Sequence, residues 1–427
     1  MSIDPLTRPP AVPALRRNAN FNRLWLGEGV SVLGDATTQV LMPAMAIALL
    51  GGPAWLGALT AATWLPWLVI GLPAGAWVDR LDGRQIMIAA DLVGAVALAS
   101  VPIAAVLGLL TLPQLLVVAA LNGTAQVFFR TAYVGFLASI VAPEHLEEAN
   151  AKVIGTESAM QVAGPGIGAA LLRWTSAAYG LAVDAVSYLV SAACLWRIRP
   201  PARTAPRADR QALGTEIREG VSYVFGDRYL RWLLVVGGLS NIGLVGYGAL
   251  LLLFLAVDAG AGTAGAGLVL TVSGVGGLLG AVLAPRLART LGSSRAMLWT
   301  GYTAGVASLL VPLAGPGWAL AWPVVGLLLV AVGTVIGNVV RGAWRQRYVP
   351  QQVIGRAVTA FQLVNLGTMP LAGVLAGWLG TVVGVRPTIA VLAGVHCLAE
   401  LTLLFSPFAR MVDLPAPPEL PLPATPR

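Results

Sequence analysis

The chain has 427 residues, of which 57% are hydrophobic and only 11% charged, with 50 glycines and a mean hydropathy of +0.79. A water-soluble domain of this length needs no such composition for its core, so the expected solvent is the bilayer. The net charge of +8 does not point to nucleic acid, because the arginines are scattered over loops and tails instead of lying on one face.

Residues 1–20 are proline-rich without an apolar run, so no cleavable signal peptide is expected and the first span is expected to act as an uncleaved one. Apolar stretches of roughly 20 residues, enough to cross about 30 Å, follow twelve times. They lie near 24–46, 55–78, 86–108, 113–134, 152–173, 176–197, 230–256, 265–285, 296–314, 318–340, 357–380 and 386–408. With the N-terminus on the inner side, 25 of the 27 basic residues fall on inner segments, and only Arg173 and Arg386 fall outside. That asymmetry predicts both termini inside and an even number of spans.

Two echoes divide the chain. GAWVDRLDGR (75–84) returns as GAVLAPRLAR (280–289), and VAPEHL (141–146) returns as YVPQQV (348–353), at offsets of 205–207 residues. Two related halves are therefore expected, as in many transporters. The expectation is an all-α membrane protein with twelve transmembrane helices in two pseudo-symmetric six-helix bundles. Its parts are a cytoplasmic tail (1–20), a first bundle (21–197), a linker (198–228), a second bundle (229–410) and a disordered proline-rich tail (411–427). Within the linker, Ile217, Val221, Val224 and Phe225 recur at helical spacing, which predicts a short amphipathic helix on the inner membrane surface. The location expected is the cell membrane.

Acidic residues inside spans are costly and mark candidate sites. On span 1, Glu28, Ser31, Asp35 and Thr38 follow at intervals of three, four and three, forming one polar stripe. Asp35 lies about 16 Å past Leu24 at 1.5 Å per residue, near the midplane, where a carboxylate can bind a proton or cation, contact substrate or make a structural hydrogen bond. Asp184 is about eight residues into span 6 and is read as a structural partner or a coupling group. Asp91 and Glu157 lie nearer the inner surface, where snorkelling or gate pairing is expected. His396 and Glu400, four apart on span 12, can share a face as a proton site or a satisfied polar pair.

In the first inner loop, Gly75 is expected to let span 2 approach a neighbour closely, and Asp79 can pair with arginines or with a helix N-terminus. Arg130 and the start of span 11 at Gly355–Arg356 are the candidate partners; solvated charges that only set topology are the alternative. On span 5, Gly164, Pro165 and Gly168 thin and bend the helix for packing. The glycine-rich span 8 (Gly274, Gly276, Gly277, Gly280) is its candidate neighbour.

The Gly75–Arg84 segment resembles the loop signature between helices 2 and 3 of the major facilitator superfamily. Here the loop is one residue longer, and Gln85 replaces the final basic residue. The departure resembles a subgroup of exporters related to the enterobactin exporter and to macrolide efflux proteins. NFNRLWLGEGVSVLGD (20–35), LAVDAVSYLVSA (181–192) and VIGRAV (353–358) fit that subgroup, and the resemblance covers most of residues 18–410. It implies a cytoplasmic gate, carried here by Gly75, Asp79, Arg80, Gly83, Arg84, Arg130 and Arg356, that closes in one state and breaks in the other. AGPGIGAAL (163–171) is similar to the GPxxGG motif of drug/proton antiporters, with Ala169 at a glycine position. Span 4 has Asn122 in the region where proton-linked members carry an arginine.

Other function classes lack their chemistry. Lys152, the sole lysine, follows Ala151, so no P-loop GK[ST] is present. Two histidines and two cysteines give no ligand spacing, so no metal and no cofactor is expected. No local pattern proposes a nucleophile and base. The partners expected are the lipid bilayer, a small-molecule substrate and protons, for a monomer that does not bind nucleic acid. The function expected is export of a small organic molecule by alternating access, as proton antiport, with a facilitator or a non-transporting sensor as alternatives.

Overall fold

The computed structural model describes residues 15–199, 213–350 and 353–417. Regular structure among the described residues is helical throughout. The first six long helices are α1 (Ala19–Ala48), α2 (Pro53–Arg80), α3 (Gly83–Val106), α4 (Leu112–Ile140), α5 (Leu146–Trp174) and α6 (Ala177–Trp196). A shorter α7 (Leu213–Gly226) leads to α8 (Arg228–Leu253), α9 (Gly262–Leu291), α10 (Ser293–Ser308), α11 (Ala321–Tyr348), α12 (Ile354–Val382) and α13 (Val385–Leu401).

Eleven of these helices, some with their short flanking turns, are long and apolar enough to cross a membrane. The remaining long helix, α5, falls short on composition because it carries Glu147, Glu148, Lys152, Glu157, Gln161 and Arg173. It is nonetheless flanked on both sides by protein, between α1 and α9. Polar caps fix several helix N-termini: Asn18 accepts from the Phe21 amide, Asp82 from Arg84, and Asp227 from both Tyr229 and Leu230 at 2.8 Å.

Helix α1 packs on α5 and α6, α3 on α4 and α6, and α2 on α4; in the later part of the chain α8 packs on α12 and α13, α10 on α11 and α13, and α9 on α11. Two main seams join the groups, α2 with α12 and α5 with α9. Glycines make both. A Cβ on Gly57 would lie 2.4 Å from the Gly373 carbonyl oxygen and 2.6 Å from Gly377 Cα; one on Gly274 would lie 2.5 Å from Val162 Cα. These contacts use the first half of α2, the second half of α12, the second half of α5 and the first half of α9, all displaced toward the end where α1 finishes. At the other end, Gly75 on α2, Gly155 on α5 and Gly355 on α12 have nothing within 4 Å of a Cβ position. The two groups of helices therefore part at the end where α1 begins. The close approach expected of Gly75 is not made; Gly57 makes it, because α2 meets α12 near its other end. Among the described residues no hydrogen bond or ion pair joins the two groups.

The linker helix differs from expectation in what covers it. Val224 is fully buried in the core of the later helices, Val221 packs beside it, and a Cβ on Gly220 would meet the Arg356 carbonyl at 2.3 Å. Helix α7 thus docks on α12 through part of its apolar face, leaving Phe225 at 43% exposure; Ile217 lies outside the residues whose side chains are described. The C-terminal tail also departs from expectation. Residues 411–415 are bound, not free: the Val412 carbonyl accepts from the Ser294 and Arg295 amides, Asp413 accepts from Ser293, and Trp344 Nε1 donates to the Pro415 carbonyl at 2.8 Å.

Candidate functional site

The polar stripe of α1 faces the interior of the first six helices. Glu28, Ser31 and Thr38 are buried, and Asp35 is partly buried. Glu28, Ser31 and Asp35 line a narrow cleft together with Asp91 from α3, Gln126, Phe129 and Arg130 from α4, and Tyr188 from α6.

Three layers of polar groups descend through these helices. In the outermost, Arg130 Nη1 lies 3.1 Å from Glu28 Oε1 and 2.5 Å from Glu157 Oε1, with 38% of the arginine side chain exposed. Seven residues along α1, roughly 10 Å deeper, Asp35 Oδ1 accepts from Gln126 Nε2 at 3.1 Å and lies 2.6 Å from the Tyr188 hydroxyl. That hydroxyl also lies 2.8 Å from the Asn122 side-chain oxygen. A phenol has one proton, so it serves one of the two acceptors at a time unless Asn122 turns its NH2 toward the tyrosine. Deeper still, Asp184 is fully buried. It accepts from the Thr38 hydroxyl, and the Ser187 hydroxyl lies 2.9 Å from Oδ1. Gly34 makes room for it: a Cβ there would sit 2.0 Å from Asp184 Oδ1.

Asp91 departs from expectation. It is not at the surface: it is 1% exposed at the cleft, with the Ser191 hydroxyl nearby and neither oxygen in hydrogen-bonding geometry with a donor among the described residues. A buried carboxyl in that state can receive a proton or a donor from an occupant of the cleft. The cleft region therefore holds Glu28, Asp35, Asp91 and the adjacent Glu157 against one base, Arg130.

The residues expected at the gate are dispersed in this conformation. Arg130 is engaged within the first group of helices, and Arg356 pairs with Glu219 of α7. Arg84 donates to the carbonyls of Leu195 and Trp196, closing the C-terminal end of α6. Gly83 opens α3, Arg80 is exposed at the end of α2, and the side chain of Asp79 lies outside the described residues. On α5, Gly164 and Gly168 pack against α1 at Ala36 and Thr37, on either side of Pro165, while Gly166 meets Thr271 of α9. Of the four α9 glycines read from the sequence, Gly274 meets α5, as does Gly267 at Ala169, while Gly276 and Gly280 pack on α11. In the later helices His396 and Glu400 do share a face, and both reach Ser240 on α8.

Gln126, Tyr188 and Ser240 were not singled out from the sequence. A signal existed for two of them: Asn122, Gln126 and Arg130 step by four along α4, and Asp184, Ser187, Tyr188 and Ser191 lie on one face of α6.

A family profile described as Major Facilitator Superfamily matches residues 24–373. The chain belongs to this superfamily of membrane transporters. Its sequence is 28% identical to the multidrug efflux pump Tap of Mycolicibacterium fortuitum, over 90% of this chain and 95% of that protein. It is 26% identical to Tap of Mycobacterium tuberculosis (strain ATCC 25618 / H37Rv), over 90% and 93%. Among solved structures, the nucleoside transporter NupG matches with a TM-score of 0.73 at 12% identity, over 92% of this chain and 99% of that one. A bacterial homologue of the iron transporter ferroportin in an inward-facing state matches with a TM-score of 0.70 at 16% identity, over 92% and 99%. The fold is that of a multi-pass major facilitator transporter, which acts on a small-molecule substrate from within the bilayer.

Proposed function

We propose that this transporter exports a small organic molecule of the drug, macrolide or siderophore-like kind from the cell by alternating access, in exchange for protons, with Asp35 carrying the coupled proton. The observation that carries this reading is the setting of Asp35: midway along a membrane-crossing helix, on a cleft, and bonded to a phenol that has a second acceptor. When Asp35 is ionised, Tyr188 donates to it; when Asp35 takes a proton, Tyr188 can turn to Asn122, so both states keep their hydrogen bonds. The Arg130 layer lies between Asp35 and the parted end of the helices, in reach of water. Relatives named as multidrug efflux pumps support the direction of transport and the substrate class.

The conformation fits an inward-open state, with both termini on the cytoplasmic side of the cell membrane and bundles spanning 21–197 and 229–410. The seams that close its outer side are packed by glycine, and among the described residues separating them breaks no hydrogen bond. In the opposite state the inner ends of α2 and α12 meet, and Asp79 takes Arg356 over from Glu219. An uncoupled facilitator is the second reading, favoured by Asn122 in the region where proton-linked members carry an arginine.

The test is uptake or efflux of a panel of dyes, macrolides and siderophores by proteoliposomes under an imposed pH gradient, comparing wild type with Asp35→Asn. Gradient-driven accumulation in the wild type, replaced in the variant by downhill movement only, is expected. Accumulation that survives in Asp35→Asn moves the coupling site elsewhere, and wild-type transport indifferent to the gradient makes the protein a facilitator.

A further inference from the structure

The crossing of α8 with α13 repeats the crossing of α1 with α6. Gly243 follows Gly34 by 209 residues, Ser240 follows Ser31 by 209, and His396 follows Tyr188 by 208. The glycines do the same work in each crossing: a Cβ on Gly34 would strike Asp184, and a Cβ on Gly243 would lie 2.6 Å from the His396 amide nitrogen. The first crossing holds Asp35, Tyr188 and Asp184. At the second, the Ser240 hydroxyl lies 2.7 Å from Glu400 Oε1 and 2.9 Å from His396 Nδ1, and both titratable side chains are buried, at 4% and 1% exposure. Ser240 lies twelve residues past Arg228, about 18 Å along α8 and well inside the membrane.

We propose that Ser240, His396 and Glu400 form a second proton-binding site, in which one proton is shared between Glu400 and His396 through the Ser240 hydroxyl. Two arrangements satisfy the geometry. In one, the Glu400 acid donates to Ser240 Oγ, and Ser240 donates to a bare Nδ1, with the imidazole proton on Nε2. In the other, Nδ1–H donates to Ser240 Oγ and Ser240 donates to the Glu400 carboxylate. They interconvert when the proton on Oε1 moves to Oγ as the hydroxyl proton moves to Nδ1, turning a neutral acid and imidazole into a carboxylate and imidazolium with no atom gained or lost. Both ends are free to change state, because His396 Nε2 and Glu400 Oε2 are buried without a hydrogen-bond partner among the described residues. Gly301 and Gly305 on α10 bring backbone close to Glu400, so the pocket is closed from that side.

Few other titratable groups face the site. Tyr302 of α10 lies beside Glu400 with its hydroxyl unpartnered among the described residues, and Arg341 of α11 is turned to Asn338 at 3.1 Å. Tyr247 lies two turns further along α8, and Arg356 of α12 is paired with Glu219. The proton balance therefore belongs to Glu400 and His396.

The chain has two histidines, so protein labelled with 15N-histidine gives two ring systems, and His145→Gln assigns them. Purified wild type, Glu400→Gln, Ser240→Ala and Ser240→Thr are titrated by ring nitrogen shifts and by infrared absorption of protonated carboxyls. The wild type is expected to show a carboxyl band that Glu400→Gln removes and that changes with the His396 signal at a shared midpoint. Ser240→Ala separates the two titrations by about one pH unit or more, and Ser240→Thr, which keeps the hydroxyl, restores them. A His396 signal that does not change with pH together with no carboxyl band from Glu400, or titrations that Ser240→Ala leaves unaltered, overturns the proposal. Neither measurement uses transport, so its failure leaves the role of Asp35 standing, and failure of the Asp35 test leaves this site standing.

Discussion

Adding a side chain at Gly57 tests whether the glycine seam of α2 with α12 sets the conformation. A Cβ at Gly57 would lie 2.4 Å from the Gly373 carbonyl oxygen, where ordinary contact begins at 3.4 Å, so the helices must separate by about 1 Å. The atoms struck are backbone, which cannot rotate away. Overpacking of this kind costs about 1–3 kcal/mol, and only the state with this seam shut bears it. The equilibrium between states should shift by roughly 5- to 150-fold toward closure of the end where α1 begins. Spin labels on α2 and α12 at the end where α1 begins report the change: Gly57→Val should convert a predominantly long distance into a short one. Gly248→Ala, where nothing lies within 4 Å, serves as the control and should change nothing. If Gly57→Val is well expressed and keeps the wild-type distance distribution, the seam does not set the conformation.

Gly34→Ala should lower thermal stability in detergent by about 1–3 kcal/mol, because the new methyl meets Asp184 Oδ1 at 2.0 Å. Adding Asp184→Ala should recover part of that loss, and an unaltered melting temperature for the single variant would contradict the crossing described. Arg130→Gln leaves Glu28 and Glu157 without their shared cation; with the arginine 38% exposed, the loss should be about 1–2 kcal/mol, below that of a fully buried pair. Chemical denaturation of Arg130→Gln and of the Arg130→Gln/Glu28→Gln double variant measures it, and the double variant should be the more stable of the two.

Much of the candidate site was legible in the sequence because spacing within a helix is geometry the chain carries locally. The intervals of three, four and three from Glu28 to Thr38 put those residues on one face whatever they pack against, and the same rule placed His396 above Glu400. The partners were not legible. Arg130, which the sequence offers as a partner for Asp79, is instead held by Glu28 and Glu157, because α5 packs against α1 and brings the two glutamates together. Tyr188 shares a polar face of α6 with Asp184, Ser187 and Ser191, but only the rotation of α6 against α1 brings its hydroxyl to Asp35.

The sequence by itself determined the solvent, the spans, the two related halves and the side of each helix that is polar, since hydropathy, charge asymmetry and helical period act along the chain. Only the tertiary structure decided which glycines form the seams, Gly57 and not Gly75, and which carboxyls share a proton-bearing neighbour. Small-residue stripes recur on many of these helices and are nearly interchangeable in sequence; the rotation and crossing point of each helix pair, set by the packing of all the others, selects the one that is used.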